Sequence, residues 1–247
     1  MTVEALAREA PPRSRAAPRP SFAFVMALLM LGLVVWGFSQ TVQTNLIRPA
    51  IPRPWFLWVH AGVFSSWISL FVAQTGLVSA RQVKLHRKLG VAGLCLGCLL
   101  PIVGVTTAII MRRFDIAHEH DTLFFATVPL SGMVAFVPFF ALAALNRRRP
   151  ALHRRAMYLA VCVLMDAAFG RLPVIPDAWF MAGTFFVLVD GLILAHVARD
   201  LLVERRLHRI FAIGLPALAL WQLATMYLWR IHPAWWVAAL HRIVYFS

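Results

Sequence analysis

Acidic side chains are scarce in this sequence. Only 10 Asp and Glu residues stand against 24 Lys and Arg residues in a chain of 247, which leaves a formal net charge of +14. In a soluble protein, such a charge would indicate nucleic-acid binding. Apolar residues make up 61% of the chain, however, whereas soluble domains contain about 45–50%. Because the basic residues cluster between apolar runs, we attribute the charge to membrane topology and expect no nucleic-acid partner.

Cysteine is equally rare, and several familiar motifs are missing. Cys95, Cys98 and Cys162 all lie in apolar runs, which argues against an extracellular disulfide framework. The sequence has no glycine-rich phosphate loop, no GxSxG nucleophile motif and no His-x-x-His-His cluster of the kind found in membrane di-iron desaturases. The last hydrophobic run contains no lysine, so a retinal Schiff base of the rhodopsin kind is not supported.

Long hydrophobic runs are abundant instead. Each is close to 20 residues, which is enough to cross the ~30 Å hydrocarbon layer of a bilayer. The predicted fold is therefore all-α, a polytopic membrane helix bundle with about seven transmembrane helices. The fifth predicted span is the weakest, because it contains Asp166 and Arg171 and ends at Pro173. The predicted spans are 21–40, 55–79, 89–112, 122–146, 155–173, 177–198 and 207–230.

The distribution of basic residues predicts the orientation of this bundle. The tail and the loops on its side of the membrane carry 17 of the 24 Lys and Arg residues. The positive-inside rule then predicts a cytoplasmic N-terminus, a multi-pass protein of the bacterial inner membrane and anionic lipids as partners at the cytoplasmic face. Residues 1–20 are predicted to be a disordered basic tail, 21–230 the seven-span bundle, and 231–247 an interfacial C-terminal segment.

A Leu-His-Arg triplet appears three times, each time before an apolar run. It places His86, His153 and His208 where predicted helices enter the membrane from the cytoplasm. One interpretation is that these residues only line the lip of the membrane, at headgroup depth. The other is that histidines at the edge of the bundle bind haem b or a divalent metal.

The haem hypothesis has a defined set of candidate residues. Its histidine ligands would come from His60, His86, His153 and His196, and Arg87 and Arg154 would pair with haem propionates. Depth restricts the pairs, since His60 lies near the outer surface whereas His196 is level with His86 and His153. A structural hydrogen bond between helices is the alternative for His60.

The predicted outer loop FDIAHEHDT (114–122) could hold a metal. His118, His120 and Asp115 offer ligands suited to zinc, copper or a similar divalent ion. The spacing is not a known signature, and a solvated polar loop remains the alternative interpretation.

Polar residues inside the predicted spans suggest a different function. Asp166, Asp190, Gln74 and Gln222 would line a path for protons or a small solute. Since isolated carboxylates are costly in hydrocarbon, these side chains must face the interior of the bundle. A structural ion pair, for example between Asp166 and Arg171, is the competing interpretation.

Three stretches carry a resemblance to known proteins. HAGVFSSWISLFVAQTGLVSARQVKLHRKLG (60–90), RRRPALHRRAMYLAV (147–161) and RLP (171–173) resemble a group of uncharacterised bacterial multi-span membrane proteins, over roughly 55–175. This resemblance implies an inner-membrane setting and no specific activity. A fainter likeness to cytochrome b561-type bundles implies b haems held between paired transmembrane histidines.

Three functions are thus predicted. The first is a redox-type membrane protein with haem or a metal at bundle-edge histidines. The second is a permease for protons or a small solute, and the third is a non-catalytic membrane partner subunit. Assembly as a homo-oligomer or within a membrane complex is compatible with each.

Overall fold

The computed structural model describes residues 20–119 and 123–245. Within these ranges the chain forms helices and no strands, as predicted. The predicted tail over 1–20 lies outside the described residues except for Pro20. The helices are α1 Phe22–Val42, α2 Phe56–Ser79, α3 Val83–Ala117, α4 Thr127–Leu145, α5 Pro150–Val163, α6 Asp166–Phe169, α7 Asp177–Met181, α8 Thr184–Arg199, α9 Arg209–Ile231 and α10 Ala234–Tyr245.

Short turns of other helix types extend three of these helices. A π-helical turn, Gln43–Ile47, follows α1, and another, Asp200–Glu204, follows α8. A 3₁₀ turn, Leu123–Ala126, precedes α4. With these extensions, five helices in the described part of the chain are long and apolar enough to cross a membrane. They are Phe22–Ile47, Phe56–Ser79, Val83–Ala117, Leu123–Leu145 and Arg209–Ile231.

The surface of the bundle supports the membrane-protein prediction. A soluble helix buries its apolar face and exposes its polar one. Here, large apolar side chains point outward: Ile102 is 64% exposed, and Val187 and Leu220 are each 68% exposed. An apolar outer surface of this kind is suited to lipid rather than to water.

Consecutive helices pack side by side from α1 to α5, while α9 packs on α4 and α8 packs on both α5 and α9. At one end, the Ser21 N–H before α1 donates to Oγ of Ser79 at the end of α2 (2.9 Å), so these two helices are antiparallel. This end also carries the connections 80–82, 146–149 and 200–208, which are rich in arginine. We call it the basic end.

The fifth and sixth predicted spans form four shorter helices, α5 to α8. The break after α5 falls at Leu164 and Met165, and Pro173 and Pro176 interrupt the chain further on, because proline cannot donate a backbone hydrogen bond. α6 packs between α1 and α8. Gly37 of α1 permits this close approach, since a Cβ there would lie 2.4 Å from the Ala168 carbonyl oxygen. The number of seven spans stays a prediction.

The C-terminal segment folds back on the end opposite the basic end. Leu240 and Val244 of α10 are fully buried, where α10 packs against α3 and the 3₁₀ turn before α4. The indole N–H of Trp236 donates to Oγ1 of Thr127 (2.9 Å), and Nε of Arg113 donates to the Val244 carbonyl. The bundle itself therefore holds this helix, and its position at a membrane interface stays a prediction.

Candidate functional site: a central polar cavity and a basic-end ion cluster

Asp166 lies at the break in the fifth hydrophobic stretch. It is the first residue of α6, and only 9% of it is exposed. Its Oδ1 accepts the backbone N–H of Ala167 (2.6 Å). Among the described residues, no basic side chain forms an ion pair with it within 4 Å. Arg171 acts on it electrostatically from further away and donates instead to the Ala167 carbonyl (2.6 Å). The structure therefore keeps this carboxyl group inside the bundle without a directly bound cation.

A second acid within an apolar stretch, Asp190 of α8, lies close to the same region. Nε2 of Gln222 in α9 donates to Oδ1 of Asp190 (3.0 Å), and Gln222 is buried. Gln222 and Asp166 line one small cavity between α4, α5, α6, α8 and α9. Three of the four predicted path residues are thus brought together, although they lie on three different helices.

The cavity has few other polar groups. Ser131 and Trp221 contribute to its wall, and the Trp221 indole N–H donates to the Ser131 carbonyl (3.2 Å), which fixes the ring. Gly132 leaves space beside the acid, because a Cβ there would lie 3.5 Å from Oδ2 of Asp166. The remaining volume is sufficient for about one water molecule. A bound water would therefore lie next to a carboxyl group and an amide.

Gln74, the fourth predicted path residue, lies elsewhere. It is in α2 near the basic end. Its Nε2 lies next to Gly90 of α3, since a Cβ added at that glycine would be 3.7 Å away. Its backbone carbonyl interacts with the ring of His86. Gln74 therefore joins α2 to α3 and does not line the central cavity.

A cluster of ion pairs joins α5 to the end of α8 at the basic end. Arg155 is 1% exposed, and its Nε donates to Oδ2 of Asp200 (2.6 Å), which is completely buried. The Nη2 of Arg155 donates to Glu204 (2.5 Å). Arg199 also donates to both acids, at 3.0 Å and 2.5 Å, while the more exposed Arg154 donates to Glu204 (2.6 Å).

These contacts determine the ionisation of both acids. Burial acts to raise the pKa of Asp200, but hydrogen bonds from Arg155 and Arg199 outweigh it and lower that pKa below its ordinary value. The hydrogen bond from Arg199, assisted by Arg155, lowers the pKa of Glu204 to about 2. Both acids are therefore ionised at neutral pH, and the cluster holds α5 against the end of α8 through ion pairs.

His196 lies between the two acidic regions. It is 3% exposed, and its ring contacts the rings of Phe22, Tyr158 and Phe211. Its Nε2 lies 3.8 Å from Oδ1 of Asp200. His196, one of the histidines predicted to bind haem, is thus enclosed by aromatic rings on the inner side of the ion cluster.

The other predicted haem ligands lie at both ends. The Nδ1–H of His153 donates to the Ala143 carbonyl (2.8 Å), and His153 lies close enough to act electrostatically on His86. His60, near the start of α2 at the opposite end, stacks on Phe64 with 4.2 Å between ring centroids. Arg87 is exposed on α3, and Arg154 is committed to Glu204.

The predicted outer metal site is only partly described. Asp115 pairs with Arg53 (2.8 Å), and Nδ1 of His118 contacts the Phe114 carbonyl (2.7 Å). His120 lies outside the described residues. Among the residues that the structure describes, no three His, Cys, Asp or Glu side chains come together as a metal site would require.

Comparison with known proteins adds no identification. The chain matches no family model, no curated protein and no solved structure. The resemblance to uncharacterised membrane proteins and to cytochrome b561-type bundles stays a prediction.

Sequence analysis missed the members of the ion cluster. In the sequence, Arg155 is one of several arginines in a basic loop, and no motif marks Asp200 or Glu204. One signal was available: these two acids, four residues apart, occupy one helix face in a chain with very few acids. Their partner, 45 residues away in the sequence, could not be identified without the packing of α5 on α8.

Proposed function

We propose that this protein is a multi-pass protein of the bacterial inner membrane that moves protons, alone or with a small solute. The observation that carries the proposal is the water-sized central cavity with Asp166 and Gln222 in its wall and Asp190 bound to Gln222. Ionisable residues inside a membrane bundle are rare and are typical of proton relays. Their position beside a broken helix resembles the arrangement that transporters use for their binding sites.

Seven crossings with a cytoplasmic N-terminus are part of this proposal. α5 and α6 together contain 18 residues, and a helix of that length extends about 27 Å. α7 and α8 together contain 21 residues, or about 31 Å of helix. Both lengths suit a bilayer, and the arginine-rich connections at one end of the bundle favour the cytoplasm for that end.

Asp166 is assigned the central role. Its Oδ2 lies toward Gly132, at the cavity, while Oδ1 is bound by the backbone. A water in the cavity would exchange protons with Asp166 and reach the amide of Gln222. Since that amide donates to Asp190, the three groups provide a polar connection across α6, α9 and α8.

Proton flux in liposomes tests the proposal. The purified protein would be reconstituted with a pH-sensitive dye inside, and a potassium diffusion potential would drive protons across the membrane. We expect flux well above that of empty liposomes, and a fall of at least about tenfold in Asp166→Asn. The matched control is Asp177→Asn, which removes an exposed acid at the start of α7. Absence of flux in the unmodified protein, or full flux in Asp166→Asn, would contradict the proposal.

The redox function remains a second candidate, supported by a different observation. His86 and His153 lie near each other at the basic end, and one nitrogen of His153 is oriented by the Ala143 carbonyl. Such orientation of the second ring nitrogen is common in haem and metal ligands. An absorbance spectrum of the purified protein, oxidised and then reduced with dithionite, tests it. A reduced b-type band that His86→Ala removes would support this candidate, and a featureless spectrum of haem-supplemented protein would exclude it.

A further inference from the structure

Buried polar groups continue from the central cavity toward the basic end. On α8 and the turn after it, His196 and Asp200 follow Asp190 by six and ten residues. These separations correspond to about 9 and 15 Å along a helix. α5 runs beside this part of α8 and contributes Cys162 and Tyr158. The two helices thus enclose a line of titratable side chains that the proposed function does not yet use.

The part of this line on α5 lies next to Asp190. Cys162 is completely buried and lies within electrostatic reach of Asp190. Tyr158, one helical turn away, is 1% exposed and lies beside the thiol. Its hydroxyl donates to the Leu192 carbonyl (2.7 Å), and its ring edge meets the ring of His196, with 4.6 Å between centroids. Polar side chains therefore lead from Asp190 to the imidazole.

The two nitrogens of His196 have different surroundings. Nδ1 is buried and has no hydrogen-bond partner among the described residues. Nε2 lies 3.8 Å from Oδ1 of Asp200. An unpartnered buried polar atom costs free energy, and in a native structure it calls for an explanation. An imidazole that accepts a proton on one nitrogen and releases one from the other explains it.

Charged groups surround His196 on the side that faces the basic end. Arg154, Arg155 and Arg199 face it from α5 and α8 and act on its charge, and Asp200 opposes them. The aromatic rings of Phe22 and Phe211 cover it from α1 and α9. Beyond Asp200 lies Glu204, whose side chain is 30% exposed and so reaches water.

We infer that His196 passes protons between the central acids and the basic end. This inference rests on the proposed function. A proton that arrives at Nδ1 of the neutral ring forms an imidazolium ion, which the nearby Asp200 carboxylate stabilises, and the proton on Nε2 then leaves to water at the basic end. The ring is neutral again with its proton on Nδ1, and proton exchange resets the tautomer. Asp200 and Glu204 stay ionised throughout, paired with Arg155 and Arg199, so no net charge accumulates in the bundle.

Liposome flux with two histidine variants tests this role. We expect His196→Gln to lower proton flux by at least about tenfold. His232→Gln is the matched control, because His232 is a half-buried histidine that follows α9 at the opposite end of the bundle, outside the line from Asp190 to Glu204. Its flux should equal that of the unmodified protein. Melting temperatures in detergent would establish that both variants are folded.

Chemical rescue separates proton transfer from packing. In His196→Ala, added imidazole should restore flux, whereas thiazole, a ring of the same size without an N–H group, should not. If His196 only fills space, both rings would restore flux equally. Tyr158→Phe supplies a second variant that keeps the ring packing: it should also lower flux, and unchanged flux there would overturn the route past Tyr158.

The outcomes distinguish this inference from the proposed function. If the unmodified protein conducts no protons, the proposed function fails and the inference fails with it. If flux is lost in Asp166→Asn but is normal in His196→Gln, the proposed function stands and the role of His196 is wrong. Loss in both variants, with rescue by imidazole alone, supports both.

Discussion

Two groups of buried acids, one in the middle of the bundle and one at its basic end, are held in opposite ways. Asp166 and Asp190 accept hydrogen bonds from neutral donors, namely a backbone N–H and the Gln222 amide, and Arg171 acts on Asp166 electrostatically without a direct ion pair. Asp200 and Glu204 meet guanidinium groups at 2.5–3.0 Å. Burial is similar for Asp166 and Asp200, so the partners and not the depth decide how each acid behaves.

This contrast assigns different tasks to the two regions. Arginine keeps its charge under all ordinary conditions, and its ion pairs with buried carboxylates are rigid. The basic-end cluster therefore stabilises the packing of α5 on α8. Neutral partners leave an acid free to change its protonation state, which is what a proton path requires. The predictions below test the contrast, beginning with the largest expected effect.

Removal of Arg155 should be the most damaging change. Arg155→Met leaves Asp200 buried without its main partner, and loss of one member of a buried ion pair costs about 3–5 kcal/mol. The matched control is Arg154→Met, which removes the neighbouring arginine from the same Glu204. Because the Arg154 side chain is 47% exposed, that change should cost less than about 1 kcal/mol.

Unfolding of the purified protein in mixed detergent would measure both free energies. The double variant Arg155→Met/Asp200→Leu should recover part of the loss, since it no longer buries an unpaired charge. Equal losses of unfolding free energy in Arg155→Met and Arg154→Met would show that the buried ion pair does not stabilise the packing of α5 on α8.

The same substitution in the two regions should have unequal effects. Asp200→Asn removes the charge that Arg155 requires, and hydrogen bonds to charged groups contribute about 1.5–3 kcal/mol. Asp166→Asn has nearly the same shape and removes no ion pair within 4 Å among the described residues, so its cost should stay below about 1 kcal/mol. Asp166→Asn should instead abolish proton flux. Unfolding free energies of the two variants, measured side by side, would check this, and an equal loss in both would contradict the contrast.

The sequence predicted the long helices because an apolar run of about 20 residues has few alternatives in a membrane protein. It predicted less well where the run contains other signals. Asp166, Pro173 and Pro176 mark the fifth and sixth stretches as irregular, yet they do not reveal that α6 would pack between α1 and α8. That arrangement depends on Gly37, whose role appears only when the two helices are brought together.

The candidate site was predictable to a similar degree. Asp166, Asp190 and Gln222 stand out because each is polar within an apolar run, and that pattern predicts an inward position. Gln74 has the same pattern but lies beside His86. Hydropathy indicates that a polar residue faces inward, and it does not indicate which residues it contacts there. The ion cluster could not be predicted, because Arg155 resembles every other arginine of the basic connections until α5 packs on α8.

A pH dependence of stability provides the smallest and most specific test of the basic-end cluster. The folded pKa of Glu204, about 2, lies below its ordinary value of 4.5. A depressed carboxyl pKa contributes stability that is fully present above about pH 4.5 and is lost as the pH falls toward 2. Glu204 is partly exposed, so we expect the loss between pH 6 and pH 3 to be less than about 1 kcal/mol.

Unfolding measured at these two pH values should show a smaller difference for Glu204→Gln than for the unmodified protein. Glu119→Gln, which removes an exposed acid far from the cluster, is the control. If Glu204→Gln leaves the difference in unfolding free energy between pH 6 and pH 3 unchanged, Glu204 is not held by Arg155 and Arg199 in the folded protein. The ion pairs between α5 and the end of α8 then depend on Asp200 alone.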